Sequence, residues 1–469
     1  MVPPRSALAL AACALLVLAF APAQYFGRQQ DDLLYYIGAR ALTEGRYCLL
    51  TTPGCPPLTM INPGWPLLMT PLAFLTDRPA AFQAFSALIL ASTPLAVWAW
   101  MRRRGDETTA LLVAALFASC PLVLAQSGAP MSETPYLLAL LGMLAAVEAA
   151  RPRAAGFLAA LLLLLRTAGV AALAALLIPF LRARRWRDAI AAAWPPALAY
   201  SLWAAWSWRK THGLDKAQLL AGTYAEGSWS KPLRMALANA RYYLSEWGGC
   251  FLPPSRTSGH LALMLGAALA AGACLGLARA LRRRAHEPAA WALLGAAALH
   301  AFWGWQYERY LIPVLPLLLW ALVEGLRQRA KPTLAVLLTL QLLMQTLPRL
   351  GRPSPWARPE LALTYEWLSA RRRPALLASV EHVRDGYYCG LPNVPLPDDA
   401  RDEDFAARLK ALRVGYVLRA EGLDLGLDAD PGSPLRRGVE RAFSHLDEAR
   451  LFRKVHEEPE EHAAVYAPL

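Results

Sequence analysis

Residues 154–181 read AAGFLAALLLLLRTAGVAALAALLIPFL, an apolar stretch with one charged residue, Arg166, near its middle. Basic clusters flank both ends, with Arg151 and Arg153 before the stretch and four arginines between residues 182 and 187 after it. Lys and Arg accumulate on the cytoplasmic side of membrane proteins, so both ends are expected on that side. A single span would put one cluster outside. We therefore predict two short helices that turn at Arg166 and the three residues after it.

The rest of the chain has the same character. Of its 469 residues, 56% are hydrophobic and only 18% are charged, with a mean hydropathy of +0.28. Uncharged runs recur as far as residue 348, each close to the ~20 residues that a helix needs to cross a bilayer. These runs are continuously apolar instead of alternating, which excludes a soluble enzyme and a lipid-facing β-barrel. Besides the two short helices, we predict spans at 7–24, 80–100, 108–126, 133–149, 189–208, 259–280, 289–305, 310–326 and 332–348.

The predicted fold is a polytopic all-α membrane protein with about 11 transmembrane helices. Residues 1–350 form the membrane domain, with outer loops at 25–79 and 209–258, and residues 351–469 form a small α/β domain on the outer side. An alternative for the first span is a cleaved signal peptide, because a small-residue sequence follows its short apolar core. The net charge of +13 comes from clusters between apolar runs, so we interpret it as a topology signal and propose no nucleic-acid partner.

The segment after residue 350 changes to a mixed pattern typical of a small α/β fold. Short strands are predicted at 376–380, 414–418 and 463–466, with a helix near 404–412.

Four cysteines fall on the predicted outer side, namely Cys48, Cys55, Cys250 and Cys389. Cys48 and Cys55 bracket a Thr/Pro/Gly turn and are the favoured disulfide pair in an oxidising compartment. Unpaired thiols remain the alternative.

Two adjacent carboxylates, Asp31 and Asp32, follow the first span directly. If this segment is helical, Asp31 and Tyr35 share one face, while Asp32 shares the next with Arg40. One carboxylate can then pair with the arginine while the other acts as a base. The alternative is helix capping, which acidic residues favour at a helix amino terminus.

Other polar residues lie at the same predicted side of the membrane. An arginine such as Arg166 within an apolar stretch costs roughly 2.5–3.5 kcal/mol and needs an anionic partner, for which Glu133 or a lipid phosphate are the candidates. Glu133 itself could merely cap the fourth span. Arg309 follows Glu308, and a local pair between the two is the simplest alternative to a functional role. The remaining candidates are Asn62, which opens the sequence Asn-Pro-Gly-Trp-Pro, and the aromatic residues Tyr307 and Tyr310.

Together these motifs resemble the GT-C superfamily of integral-membrane glycosyltransferases, which includes protein O-mannosyltransferases and the lipid A aminoarabinose transferase. Asp31-Asp32 resembles the acidic motif of the first loop, in which the first acid is catalytic. Ser132-Glu133 resembles the second-loop acid, Arg166 the basic residue before the sixth span, and Arg309-Tyr310-Leu311-Ile312-Pro313 the late Arg-Tyr-x-x-Pro signature. Asn62 stands where many relatives have Lys, His or Tyr. The resemblance covers about 350 residues.

The resemblance implies a transferase that moves a sugar from a polyprenyl phosphate to a glycan, lipid or protein acceptor. Asp31 would be the base of an inverting reaction, with Asp32 and Glu133 as further catalytic acids. The implied substrate- and phosphate-binding residues are Tyr35, Arg40, Asn62, Arg166, Tyr307, Arg309 and Tyr310. No cofactor is certain, and a divalent metal, if one is used, would be held by Asp31, Asp32 and Glu133.

The alternatives are a lipid-linked glycan flippase or transporter, and an enzyme of the O-antigen polymerase or ligase type. A transporter would also hold charges such as Arg166 in a membrane cavity, but the sequence shows no two-fold repeat. The Arg-, Ala- and Leu-rich composition favours a bacterial inner membrane, with the active site and the C-terminal domain on the outer, periplasmic side.

Overall fold

A computed structural model describes residues 3–211, 230–253, 259–371, 375–397, 402–420, 439–444, 446 and 452–469. The chain forms two compact units. The first contains Met1–Gln24 and Thr59–Ser354, and the second contains Tyr25–Leu58 and Pro355–Leu469. The sequence assigned all of loop 25–79 to the membrane domain, whereas the structure groups the first part of that loop with the C-terminal segment.

Apart from short 3₁₀ and π segments, all regular secondary structure in the described part of the first unit is α-helical. Its helices, numbered along the chain so that α2 is left for the second unit, are α1 (Pro4–Ala19), α3 (Gly64–Leu75), α4 (Pro79–Met101), α5 (Glu107–Ala118), α6 (Pro121–Ala125), α7 (Glu133–Glu148), α8 (Pro152–Leu165), α9 (Leu173–Arg182), α10 (Trp186–Thr211), α11 (Lys231–Gly249), α12 (Gly259–Arg283), α13 (Pro288–Ala301), α14 (Leu315–Leu326) and α15 (Ala330–Gln341). Every predicted span overlaps at least one of these helices.

Local sequence explains where several of these helices begin. Proline occupies the first turn of α4, α8 and α13, where its missing N–H costs nothing and its fixed φ suits the helix. Asp106 caps α5, because its carboxylate accepts the N–H of Thr109 at 3.2 Å.

Two helices of the first unit were not predicted, α3 in loop 25–79 and α11 in loop 209–258. Prolines lie on both sides of Gly64, and Pro66 is in the first turn of α3, where a backbone N–H would have no partner inside the helix, so the missing N–H of proline costs nothing. Parts of the second loop, 212–229 and 254–258, lie outside the described residues.

Within the described residues, three helical stretches are long and apolar enough to cross a membrane by length and composition. They are Pro79–Met101, Gly259–Arg283 and the run Leu315–Arg349, which joins α14, α15 and the short turns after them. The other apolar helices have 10–17 residues. The number of about 11 spans therefore stays a prediction.

Large apolar side chains lie on the surface of the first unit. Leu8, Phe74, Leu75, Ile190 and Met264 are each at least two-thirds exposed. Such surfaces are unfavourable in water, and lipid tails would cover them at little cost. This pattern agrees with a membrane protein.

The second unit contains helix α2 (Asp31–Thr43) and a five-stranded sheet within its described residues. Its remaining elements are α16 (Ala362–Ser369), β1 (Leu376–Ser379), α17 (His382–Cys389), β2 (Asn393–Pro395), α18 (Asp402–Ala411), β3 (Val414–Ala420), β4 (Phe452–Glu458) and β5 (Ala463–Pro468). The strand order is β2-β1-β3-β5-β4, with β1 parallel to β2 and β3, and with β5 antiparallel to both of its neighbours.

Both faces of this sheet are buried. Side chains alternate along a strand, so Val417 and Leu418 of β3 point to opposite faces. Val417 packs in a core with Phe405 of α18, while Leu418 packs with Tyr365 of α16 and Cys389 of α17. The three strands and the helix predicted in this region are confirmed. The three-residue strand β2 and the polar strand β4 were not predicted.

The predicted disulfide between Cys48 and Cys55 is present in the second unit. Cys250 and Cys389 are buried thiols, and the sulfur of Cys250 lies 3.7 Å from that of Cys120.

Candidate active site

The apolar stretch 154–181 breaks at Arg166, as predicted. Helix α8 ends at Leu165, Arg166 is extended with φ −151° and ψ 142°, and a 3₁₀ turn over Thr167–Ala172 leads into α9. An interruption inside an apolar helix releases backbone groups that must find other partners. The side chains around Arg166 supply several of these.

Asn62 braces this break from a different part of the chain. Its amide Nδ2 donates to the carbonyl of Leu163 at 2.7 Å, and its Oδ1 accepts the hydroxyl of Thr167 at 3.2 Å. The indole of Trp65 donates to the carbonyl of Pro130 at 2.8 Å. These bonds join the end of α8 and the loop before α7 to the start of α3. Asn62 thus has a bracing role, and its phosphate contact stays a prediction.

Gly64 permits the close approach on which this brace depends. A Cβ at this position would lie 2.5 Å from the backbone carbonyl carbon of Leu164, which is far inside van der Waals contact. We expect Gly64→Ala to lower the free energy of unfolding by about 1–3 kcal/mol, since α3 and α8 must separate. Thermal unfolding of the detergent-solubilised protein measures this.

The matched control is Gly249→Ala, because a methyl group there meets no atom within 4 Å. Equal melting temperatures for the two variants would contradict the close-packing argument.

Two arginines converge on one buried carboxylate. Glu133 lies in the first turn of α7 and is 1% exposed. Its Oε1 lies 2.7 Å from Nη1 of Arg166 and 3.3 Å from Nε of Arg309. Arg166 Nη1 also donates to the hydroxyl of Ser132 at 2.9 Å. The predicted partner of Arg166 is thus confirmed, and Arg309 contacts Glu133 although Glu308 is its neighbour in sequence.

Aromatic rings complete the surroundings of these charges. The guanidinium carbons of Arg166 and Arg309 lie 5.3 and 5.8 Å from the ring centre of Tyr310, and Arg309 lies 4.4 Å from that of Tyr307. His300 packs against Tyr310 with ring centres 5.9 Å apart. Cation–π contacts of this kind are strongest away from water, and they hold the guanidiniums in fixed orientations.

The acidic pair begins a helix, as its sequence suggested. Asp32 is 1% exposed, and its Oδ2 accepts the N–H of Gly27 at 2.7 Å. Asp31 is the more exposed of the two, and Tyr35 on the following turn is buried. Asp32 therefore stabilises the turn before α2, which leaves Asp31 as the better candidate for chemistry.

A buried ionic cluster at α17 was missed by the sequence analysis. Arg384 forms an ion pair with Glu381 and lies 3.6 Å from Oδ1 of Asp385, which also accepts the hydroxyl of Tyr365 at 2.7 Å. Arg384 Nη1 lies 3.5 Å from the hydroxyl of Tyr25, which donates to Glu360. The only sequence signal was the spacing of Glu381 and Arg384 on one helical turn, which is common on solvated helices too.

Burial raises the pKa of Glu381 to about 7, although the guanidinium of Arg384 opposes the shift. When the pH exceeds 4.5, the ordinary pKa of a glutamate, the unfolded chain releases a proton that Glu381 still holds in the folded protein. The stability that this proton contributes is therefore full at low pH and is lost as the pH rises towards 7. We expect the melting temperature to fall more steeply between about pH 5 and 7 in the wild type than in Glu381→Gln.

The other groups around Glu381, namely Asp385, Glu360, Arg384 and Tyr25, are present in both proteins, so only the difference in slope reports on Glu381. Identical slopes would contradict the raised pKa.

The predicted site residues divide between the two units. Asn62, Glu133, Arg166, Tyr307, Arg309 and Tyr310 belong to the first, and Asp31, Asp32, Tyr35 and Arg40 to the second. Among the residues that the structure describes, no group of three or more His, Cys, Asp or Glu side chains is arranged to hold a metal ion.

Residues 62–303, which are more than half of the chain, match the sequence profile of glycosyltransferase family 87. The chain belongs to glycosyltransferase family 87. A search against curated proteins finds no significant match. Family 87 membership supports a transferase over the transporter alternative.

Solved structures resemble this family 87 chain over most of its length. ArnT from Cupriavidus metallidurans bound to undecaprenyl phosphate matches with a TM-score of 0.58 and 13% identity, over 99% of this chain and 98% of that one. The oligosaccharyltransferase of Archaeoglobus fulgidus matches with a TM-score of 0.54 and 12% identity, over 88% and 69% of the two chains. At this identity the likeness shows the fold, which is that of the GT-C superfamily. The family 87 chain is thus a membrane glycosyltransferase of the GT-C type.

Proposed function

We propose that this glycosyltransferase takes its sugar from a polyprenyl phosphate and that Arg166 and Arg309 hold the donor phosphate. The observation that carries the proposal is the convergence of both guanidiniums beside Glu133 and Tyr310. Arginine binds phosphate with several parallel N–H donors, which fixes the orientation of the anion. The likeness in fold to ArnT, whose structure holds undecaprenyl phosphate, supports the same class of donor.

Glu133 has a supporting role in this proposal. The buried guanidinium of Arg309 and the partly buried one of Arg166 repel each other, and a shared carboxylate offsets that repulsion. Glu133 therefore keeps both arginines in place before the donor binds. When the bond between sugar and phosphate breaks, negative charge grows on the phosphate, and preorganised cations stabilise it more than they stabilise the bound donor.

The second half of the proposed chemistry uses Asp31. An acceptor hydroxyl attacks the anomeric carbon, its proton moves to the Asp31 carboxylate, and the carbon–oxygen bond to phosphate breaks to release polyprenyl phosphate. Attack opposite to the leaving group inverts the anomeric configuration. Asp31 is preferred to Asp32 because Asp32 is buried and bonded to the backbone of Gly27.

The proposed setting is a bacterial inner membrane crossed by about 11 helices. The phosphate-binding arginines and the base Asp31 would lie on the periplasmic side. The basic clusters between apolar runs support this sidedness. The acceptor is proposed to be a glycan, lipid or protein that meets the enzyme outside the cytoplasm.

The test is transfer from a panel of polyprenyl-phosphate sugars by the purified protein in liposomes. We expect turnover with one donor, and a loss of about 10²–10³-fold in kcat/KM for Arg166→Ala, as for other lost transition-state donors. The matched control is Arg185→Ala, which removes an arginine from an exposed pair with Asp188 at 2.6 Å and should leave the rate unchanged.

An equal loss of turnover in Arg166→Ala and in the control Arg185→Ala would remove the specific role of Arg166. Turnover only with lipid-linked oligosaccharides as donors would instead favour an enzyme of the polymerase or ligase type.

A further inference from the structure

The segment before Asp31 has an unusual backbone. Gly27 has φ +91° and Gln30, directly before the first residue of α2, has φ +54°. Glycine adopts such angles easily, but a residue with a side chain adopts them only when its surroundings hold it there. Positive φ at Gln30 therefore requires contacts from elsewhere in the second unit.

Side chains of α17 and of Glu381, the residue before it, supply those contacts. Tyr388 donates its hydroxyl to the carbonyl of Phe26, and its ring meets that of Tyr25 edge to face at 6.0 Å. The side chain of Gln30 donates to Glu381.

Arg384 spans the middle of the segment. Its Nη1 lies 3.5 Å from the hydroxyl of Tyr25, and its Cγ would lie 3.7 Å from a Cβ at Gly27. Tyr388 and Arg384 thus contact the start of the segment 25–30, the stem of Arg384 lies beside Gly27, and Glu381 accepts a hydrogen bond from Gln30 at its end.

This arrangement does more than stabilise the sheet. Arg384 and Glu381 are each 4% exposed in their side chains, and burying ionised groups is costly unless their geometry is well satisfied. A helix that served only the sheet could pack against it with apolar side chains alone, in the way that Cys389 packs with Leu377 and Leu418. The polar side chains instead contact the turn that sets the start of α2, and so the direction in which Asp31 leaves the backbone.

We propose that Glu381, Arg384 and Tyr388 are positioning residues, which hold the segment 25–30 so that the Asp31 carboxylate meets the acceptor hydroxyl. This inference rests on the proposed role of Asp31 as the base. It gives the C-terminal domain a part in the reaction although none of these three side chains needs to touch a substrate.

The mildest test is Tyr388→Phe, which removes one hydroxyl and keeps the ring stacked on Tyr365 at 5.3 Å. We expect kcat to fall about tenfold with the donor KM within about twofold, because a small displacement of a catalytic group lowers turnover more than binding. The matched control is Tyr416→Phe, which removes a tyrosine hydroxyl from β3, where the ring packs edge to face on Trp367. Its kcat should stay close to that of the wild type.

A double-mutant cycle with Asp31→Asn separates positioning from simple destabilisation. If Tyr388 acts through Asp31, adding Tyr388→Phe to the Asp31→Asn variant should lower its residual single-turnover rate by less than about twofold. If Tyr388→Phe lowered the rate equally in the wild type and in Asp31→Asn, the positioning role would be overturned. The same holds if Tyr388→Phe had an unchanged kcat while Asp31→Asn was inactive. Full activity of Asp31→Asn itself would instead refute the proposed base.

Arg384→Lys gives an independent check, because it keeps the positive charge beside Glu381 and Asp385 but shortens the reach to Tyr25. We expect a fall in kcat at an unchanged donor KM for this variant too. A rise in donor KM at constant kcat would overturn the assignment of Arg384 as a positioning residue.

Discussion

Replacing Asp31 with asparagine is expected to lower the turnover number by about 10²–10⁴-fold, which is the usual contribution of a general base. Asparagine has nearly the same shape and cannot take a proton from the acceptor. Donor binding should change little, because in the proposed mechanism the phosphate is held by Arg166 and Arg309. The measurement is steady-state transfer in liposomes with kcat and KM determined separately, so that a loss of chemistry is distinguished from a loss of binding.

Asp32→Asn is the informative comparison. Its amide oxygen can still accept the N–H of Gly27, so the turn before α2 should survive and the loss of turnover should be smaller than for Asp31→Asn. A larger loss in Asp32→Asn would reverse the two roles. Near-normal turnover in Asp31→Asn would mean that the acceptor needs no base, as when the acceptor is itself a phosphate.

Replacing Glu133 with alanine is expected to lower the free energy of unfolding by about 3–5 kcal/mol, because it leaves the buried guanidinium of Arg309 and the partly buried one of Arg166 without their shared carboxylate. Glu133→Gln should be milder, since its amide oxygen still accepts hydrogen bonds. Thermal unfolding in detergent measures the difference.

The control for Glu133 is Asp188→Asn, because Asp188 also pairs with an arginine but is 31% exposed in its side chain. Exposed pairs contribute about 0–1 kcal/mol, so the melting temperature should hardly change. If Glu133→Ala and Asp188→Asn had equal melting temperatures, Glu133 would not be the carboxylate on which the arginines depend.

Features that follow from strong local physics could be predicted from the sequence. An arginine amid apolar residues and between two basic clusters requires a break, and the chain breaks at Arg166. The same cost of burial required an anionic partner, and Glu133 was one of the two candidates. Short apolar runs containing Val and Tyr marked β3 and β5, whose side chains fill cores on both faces of the sheet.

Features that depend on distant contacts could not be predicted. Arg309 contacts Glu133, which is distant in the sequence, because tertiary packing brings the two side chains together. Helix α11 is amphipathic and resembles an exposed loop in composition. The charged residues around Arg384 look like a solvated helix until the fold surrounds them with Tyr25 and Tyr365.

The contact between Arg384 and Tyr25 joins residues 359 positions apart in the chain. At about 5–20 residues per second, a ribosome needs roughly 20–70 s to make the intervening sequence. During that time the segment with Gly27 and Gln30 has been synthesised, while the side chains that hold its strained backbone do not yet exist. The apolar helices between the two must be made before the second unit can close. Ordering of the segment 25–30 is therefore a late event in biogenesis. A nascent chain stopped before α17 carries Asp31 and Asp32 without the side chains that hold the preceding segment.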